Sequence, residues 1–265
     1  MSGNKVNGLL DRIVVVLMRT THSGNIGAVA RACKTMGITK LRLVNPVADI
    51  NQEAMQRASG ADDVLRAAQV FETLEGALAD SILVLGASAR SRKMTWPVGH
   101  PRDLAELAMK ELLSPALASE AKVVLLFGQE ASGLSNEELQ RCNYHACIPA
   151  NPEYSSLNLA MAVQVMAYEV RMAALLSCDT SAEQISPVLS PEDDGWDDSL
   201  ASGAQVDGLL SHIEETLIGV DYFDPNNPGT LMSRIKRLLL RSKLDKMEVN
   251  ILRGVCKAVL SKASK

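Results

Sequence analysis

Between residues 12 and 176 the chain alternates short apolar runs with stretches whose apolar positions recur every three or four residues. The runs are IVVVLM (13–18), KLRLVN (40–45), ILVLGAS (82–88), KVVLLFG (122–128) and HACIPA (145–150). Several are apolar without alternation, the pattern of strands buried on both faces of a parallel sheet. Helical patterns lie between them, near 26–36, 51–58, 73–79, 101–113, 135–141 and 157–176. Strands and helices in alternation predict an α/β architecture, and periodicity alone predicts an ordinary doubly wound sheet. Ser135 with Glu138 forms a capping box, and Ser155 or Ser156 is placed to cap the long helix from about 157.

Past residue 176 the alternation stops. SCDTSAEQISPVLSPEDDGWDDSLASGAQ is rich in serine, proline and acids and poor in apolar residues, so 177–205 reads as a linker. Helical periodicity returns at 206–219, 230–242 and 246–261, with Asp245 and Glu248 as the N-terminal box of the last segment. The chain therefore divides into an α/β domain (1–176), an acidic linker (177–205) and a basic helical extension (206–265).

Charge sharpens that division. Residues 1–178 balance 17 basic against 17 acidic side chains, 179–224 hold 12 acids and no Lys or Arg, and 225–265 hold 10 basic against 2 acidic. Arg234, Arg237 and Arg241 stand at i, i+3 and i+7, one face of a helix suited to a polyanion. At 47% apolar residues the chain can build a core. No apolar run approaches the ~20 residues of a membrane span, and MSGNKVNGLLDR lacks a signal peptide's apolar segment. Five cysteines without a C-x-x-C pair argue for a reducing compartment and against a disulfide framework or zinc site. The expectation is a cytoplasmic protein without metal or membrane.

Candidate chemistry sits at three strand–loop–helix junctions. In HSGNIGAVARACKTMG (22–37) the glycines are spaced G-x-x-G, so the second and third glycines of a dinucleotide fingerprint are missing and NAD is disfavoured. Asn25 could cap the helix, Gly27 would admit a neighbouring chain, and Arg31 follows among alanines. In LLFGQEASGLSNEEL (125–139) a strand runs into Gly128, then Glu130 and Gly133; Glu130 reads first as a carboxylate held by loop amides and second as a catalytic acid. CIPANPEYSSLNLAMAVQVMAYEV (147–170) offers hydroxyls and backbone N–H groups, with Asn158 in the first helical turn. All three lie at C-terminal ends of strands, which points to one crevice.

As a set, N-I-G-A-V-A-R, F-G-Q-E-A-S-G-L and I-P-A-N-P-E-Y-S-S-L-N-L-A-M-A resemble the three signature motifs of the SPOUT superfamily of RNA methyltransferases, in its SpoU-type ribose-methylating branch. The resemblance covers about residues 12–176. With A-R-S-R at 89–92, the wording is most similar to bacterial enzymes that 2′-O-methylate nucleotide 32 of tRNA, cytidine or uridine. The resemblance implies a parallel sheet with a C-terminal trefoil knot, S-adenosylmethionine as cofactor, and a homodimer in which Arg31 of one subunit completes the other's site. It places the cofactor against Ala87, Ser88 and Ala89; against Gly128, Glu130 and Gly133; and against Ile148, Ser155, Ser156 and Leu157. Asn25, Arg31, Ser156 and Asn158 are implied in catalysis, and Arg90, Arg92 and the three tail arginines in holding RNA.

Overall fold

The structure is a computed structural model that describes residues 2–88, 96–114, 120–179 and 198–263. Ala89, Arg90 and Arg92 lie outside the described residues, as does most of the acidic linker. Seven strands form one sheet: β1 (Ile13–Met18), β2 (Lys40–Val44), β3 (Gln69–Phe71), β4 (Ser81–Ala87), β5 (Val98–Gly99), β6 (Lys122–Phe127) and β7 (Tyr144–Ala146). Every pairing is parallel and the order is β3-β2-β1-β6-β4-β7-β5. The later strands β6 and β7 are thus inserted inside the sheet, flanked by β1, β4 and β5, rather than added at its edge.

Among the described residues, eight helices accompany the sheet: α1 (Ser2–Leu10), α2 (Ser23–Met36), α3 (Gln52–Ala58), α4 (Asp62–Arg66), α5 (Leu74–Leu78), α6 (Pro101–Leu113), α7 (Asn136–Leu139) and α8 (Leu159–Asp179). The strand pleat divides the core. Ile13, Val15 and Leu17 face a large cluster with α2, α6 and α8, while Val14, Val16 and Met18 face a smaller one beneath α5 and α7. This burial on both faces is why β1 and β6 read as unbroken apolar runs.

Four short elements, α1, α4, β3 and β5, carry too few residues for a period to show and were not expected from the pattern. The Ser135–Glu138 box is present with both bonds. The cap of the long helix is a correction. Neither Ser155 nor Ser156 provides it; α8 starts at Leu159, and Asn158 Oδ1 accepts the Ala160 N–H at 2.9 Å. A second correction concerns apolar length. Leu159–Cys178 is long and apolar enough to cross a membrane by composition, with a mean hydropathy of 1.4. Alanines and methionines diluted by Gln164, Glu169 and Arg171 hid that run, and in the fold it packs on α1, α2 and α6.

The C-terminal module comprises α9 (Gly203–Gly219), α10 (Leu231–Ser242) and α11 (Lys246–Ala263) around a small core of Val206, Leu209, Leu239 and Val249. The Asp245–Glu248 box forms as read, with bonds of 2.9 and 2.7 Å. The module is docked on the sheet domain: Arg141 binds Asp207 at 2.6 Å, Asn143 Nδ2 donates to the Leu240 carbonyl at 3.2 Å, and Lys243 pairs with Glu111.

Candidate functional site: a cleft at the ends of β4, β6 and β7

A cleft of about 810 Å³, its open mouth included, lies where the C-terminal ends of β4, β6 and β7 meet. Ala87 and Ser88 come from the end of β4, residues 127–134 from the loop after β6, and Ile148 and 155–157 from the loop after β7, with Leu159 and Ala162 of α8 closing it. The wall is mixed, with Phe127, Leu134, Ile148 and Leu157 against the hydroxyls of Ser88, Ser132, Ser155 and Ser156. Nine of the ten residues expected beside a cofactor line it; the tenth, Ala89, is outside the described residues.

The loop after β6 owes its shape to two glycines. A Cβ on Gly128 would overlap the Gly133 carbonyl group and the Leu134 nitrogen, so only hydrogen fits there. Gly133 takes φ +68, the left-handed region that side chains disfavour. The Gly133 N–H donates to the Gln129 carbonyl at 2.8 Å, closing a tight turn against the cleft.

Glu130 leaves that turn toward the loop after β1. Its carboxylate accepts the Thr21 N–H at 3.1 Å, the Thr21 hydroxyl at 3.0 Å and Asn25 Nδ2 at 3.0 Å. Burial alone would raise its pKa, but these bonds outweigh burial and hold it below the usual carboxylate range. The β1 loop supplies Thr21, the first turn of α2 supplies Asn25, and Glu130's own backbone N–H adds to them. Asn25 Oδ1 in turn accepts Asn158 Nδ2 at 3.2 Å. The direction of this chain is fixed at one end. The Ala160 N–H can only donate, so Asn158 presents its oxygen there and its NH2 to Asn25; Asn25 must then offer its own NH2 to Glu130. One hydrogen-bonded path therefore joins the loop after β6 to the start of α2 and the start of α8.

Asn25 does not cap α2 as expected. The helix starts at Ser23, two residues earlier, and Ser23 Oγ bonds the Asp49 carbonyl at 2.8 Å. Gly27 does admit a neighbour, since a Cβ there would overlap the Ala54 carbonyl of α3. Arg31 therefore falls in the third turn. Six residues separate it from Asn25, so at 100° per residue the two point about 120° apart. Arg31 is exposed, is absent from the cleft lining, and binds no carboxylate among the described residues. The structure thus gathers Asn25, Glu130 and Asn158 into one network, puts Ser156 on the cleft wall, and leaves Arg31 outside. On α10, Arg234 and Arg241 are exposed and Arg237 half-buried. Thr21, which supplies two of Glu130's partners, was missed because an isolated threonine after a strand carries no signal of its own.

Comparison with known proteins places these features. A model described as the SpoU rRNA Methylase family matches residues 12–168, and one described as the tRNA methyltransferase TrmJ C-terminal domain matches 204–265. A Klebsiella pneumoniae protein named tRNA (cytidine/uridine-2'-O-)-methyltransferase TrmJ is 46% identical over 254 residues, covering 95% of this chain and 97% of its own. A Pseudomonas aeruginosa protein named tRNA (cytidine/uridine/adenosine-2'-O-)-methyltransferase TrmJ is 46% identical over 251 residues, 93% of each chain. The crystal structure of TrmJ from Z. mobilis ZM4 superposes with a TM-score of 0.76 at 31% identity, covering 93% of this chain and 98% of that one.

Proposed function

The chain belongs to the SpoU methylase family, and we propose that it transfers a methyl group from S-adenosylmethionine to the ribose 2′-hydroxyl of a pyrimidine, nucleotide 32 of the tRNA anticodon loop. The observation that carries the reading is the cleft itself, lined at the three motif loops and tied by the Glu130–Asn25–Asn158 path to the helix that bears Arg31. The curated relatives match both parts of the chain, the α/β domain and the basic module, over nearly their full length. Cytoplasmic tRNA is the substrate on this reading, the sheet carries the family's knot, and the working unit is a homodimer.

The residues present suit the cofactor. Apolar walls from Phe127, Leu134, Ile148 and Leu157 fit an adenine, and the serine hydroxyls with the turn at Gly128–Gly133 offer polar contacts without bulk. S-adenosylmethionine, when bound, supplies an electrophilic methyl on a sulfonium. Transfer to a ribose hydroxyl is an in-line displacement, so the protein's task is alignment and relief of the developing negative charge. Ser156 on the cleft wall and Asn158 beside it orient the ribose. Arg31 is exposed and does not line its own cleft, which suits action in the partner subunit's site. A guanidinium holds its proton too tightly to serve as a base; Arg31 instead holds a flanking phosphate and stabilises the alkoxide.

Incubating unmodified tRNA with protein and labelled methyl donor, then digesting to nucleosides for mass spectrometry, tests the proposal. A 2′-O-methylcytidine or 2′-O-methyluridine in the anticodon-loop fragment is expected. Methylation confined to another fragment, to adenosine or to ribosomal RNA would overturn the assignment of position 32.

A further inference from the structure

Most arginines of the sheet domain are engaged. Arg19 binds Glu138 at 2.7 Å, Arg42 binds Asp80 at 2.7 Å, and Arg12, Arg102, Arg141 and Arg171 likewise reach carboxylates or carbonyls. Among the described residues of 2–179, Arg31, Arg57 and Arg66 have no such partner, and all three are exposed. They are not scattered. They sit on α2, α3 and α4, consecutive helices that pack on one another.

The geometry brings Arg57 onto the face of α2 that carries Arg31. Gly24 and Arg31 are seven residues apart, so they lie within about 20° of one line down α2, some 10 Å from each other. A Cβ on Gly24 would stand 3.6 Å from Arg57 Cγ and 2.7 Å from Glu53 Oε1. The Arg57 stem thus lies at van der Waals distance beside the first turn of α2, while the tight neighbour there is the Glu53 carboxylate. Arg57 and Arg31 thus lie along one face of α2, and Arg66 stands at the end of α4. Of the carboxylates in this layer, Asp63 is taken by Lys34 at 2.8 Å, and Glu53 lies against Gly24 without pairing with Arg57.

We propose that Arg57, with Arg66 beyond it, holds backbone phosphates of the RNA strand whose reacting ribose Arg31 serves. They are positioning residues and take no part in the chemistry. The inference rests on the proposed tRNA substrate and extends it to a phosphate track along α2–α4. Guanidinium groups suit that task because their planar fork binds phosphate oxygens in pairs.

The test combines steady-state kinetics with tRNA binding over a range of salt. In Arg57→Ala, KM for tRNA should rise roughly tenfold, as for loss of one charge-assisted bond, and the log–log salt slope should fall by about one. Turnover at saturating tRNA and S-adenosylmethionine affinity by calorimetry should stay at wild-type values. Arg57→Lys should restore the slope but only part of the affinity. Arg57→Gln guards against a folding artefact, since it keeps the stem over Gly24. Unchanged KM and slope in both neutral variants would overturn the inference, as would loss of turnover without a change in KM. Failure of the wild-type protein to methylate any tRNA would instead refute the substrate reading, and is seen before any variant is made.

Discussion

Glu130→Gln is the sharpest perturbation of the site, because it keeps shape and volume and changes only what the group can accept. The carboxylate receives three donors, Thr21 N–H, Thr21 O–H and Asn25 Nδ2. An amide has one oxygen, so its NH2 must confront either Asn25 or Thr21. If it faces Asn25, two NH2 groups meet; Asn25 cannot turn over without losing Asn158, whose own orientation is pinned by the Ala160 N–H. If it faces Thr21, the hydroxyl can rotate to accept, and the backbone N–H keeps only its longer contact with the other oxygen, 3.3 Å. Either way one hydrogen bond to a charged acceptor is lost or weakened. Such a bond contributes about 1.5–3 kcal/mol when buried; with the half-exposed setting of Glu130, about 1–2 kcal/mol is the reasonable figure. For a chain of this size that lowers Tm by about 2–4 °C per kcal/mol. The same loosening frees the start of α2, so kcat should fall about tenfold, equivalent to ~1.4 kcal/mol of misplacement. Methyl-transfer kinetics with a parallel thermal melt decide the matter. A variant with wild-type kcat and wild-type Tm would show that the path from Glu130 to Asn158 does not hold the site together.

Gly27→Ala should lower Tm more, by the equivalent of about 1–3 kcal/mol, because the new methyl meets the Ala54 carbonyl, which is backbone and cannot step aside; a melting scan checks this. At the module interface, burial first and Arg141 second depress Lys236 to about 8, against the pull of Asp207 and Glu75. Between pH 8 and the ordinary lysine value the unfolded chain then holds a proton that the folded one has lost, so this group makes stability rise with pH across that window. Lys236→Met should abolish that rise and raise Tm at pH 7, read from melts at pH 7 and 9. If Arg31 acts in trans, mixing Arg31→Ala with chains altered on the cleft wall at Ser156→Ala, each poorly active alone, should restore turnover through mixed dimers with one intact site; no recovery after subunit exchange would place Arg31 in its own cleft.

Much of the fold was legible because its causes are local. Unbroken apolar runs at 13–18 and 122–128 marked strands covered on both faces, and those are β1 and β6. Ser135 with Glu138 and Asp245 with Glu248 announced helix starts, since a cap is a bond between residues three apart. The motif segments carried their residue types openly, and Gly27 was readable as clearance.

What the residue string could not hold was partnership across distance. Glu130, Asn25 and Asn158 are separated by 105 and 133 positions along the chain, yet they share one hydrogen-bonded path because β1 and β6 are neighbours and α8 returns over them. The order of strands, with β6 between β1 and β4, is set by packing over the whole sheet and by no local period. Asn158 could equally be read as a cap or as a site residue; the tertiary structure gives its oxygen to the helix and its nitrogen to Asn25. The G-x-x-G of the opening motif follows the same rule. The glycines marked a close approach, while only the fold decided that the neighbours are the Ala54 backbone and the Glu53 and Arg57 side chains of α3, because a glycine's missing atom records a near approach but not whose.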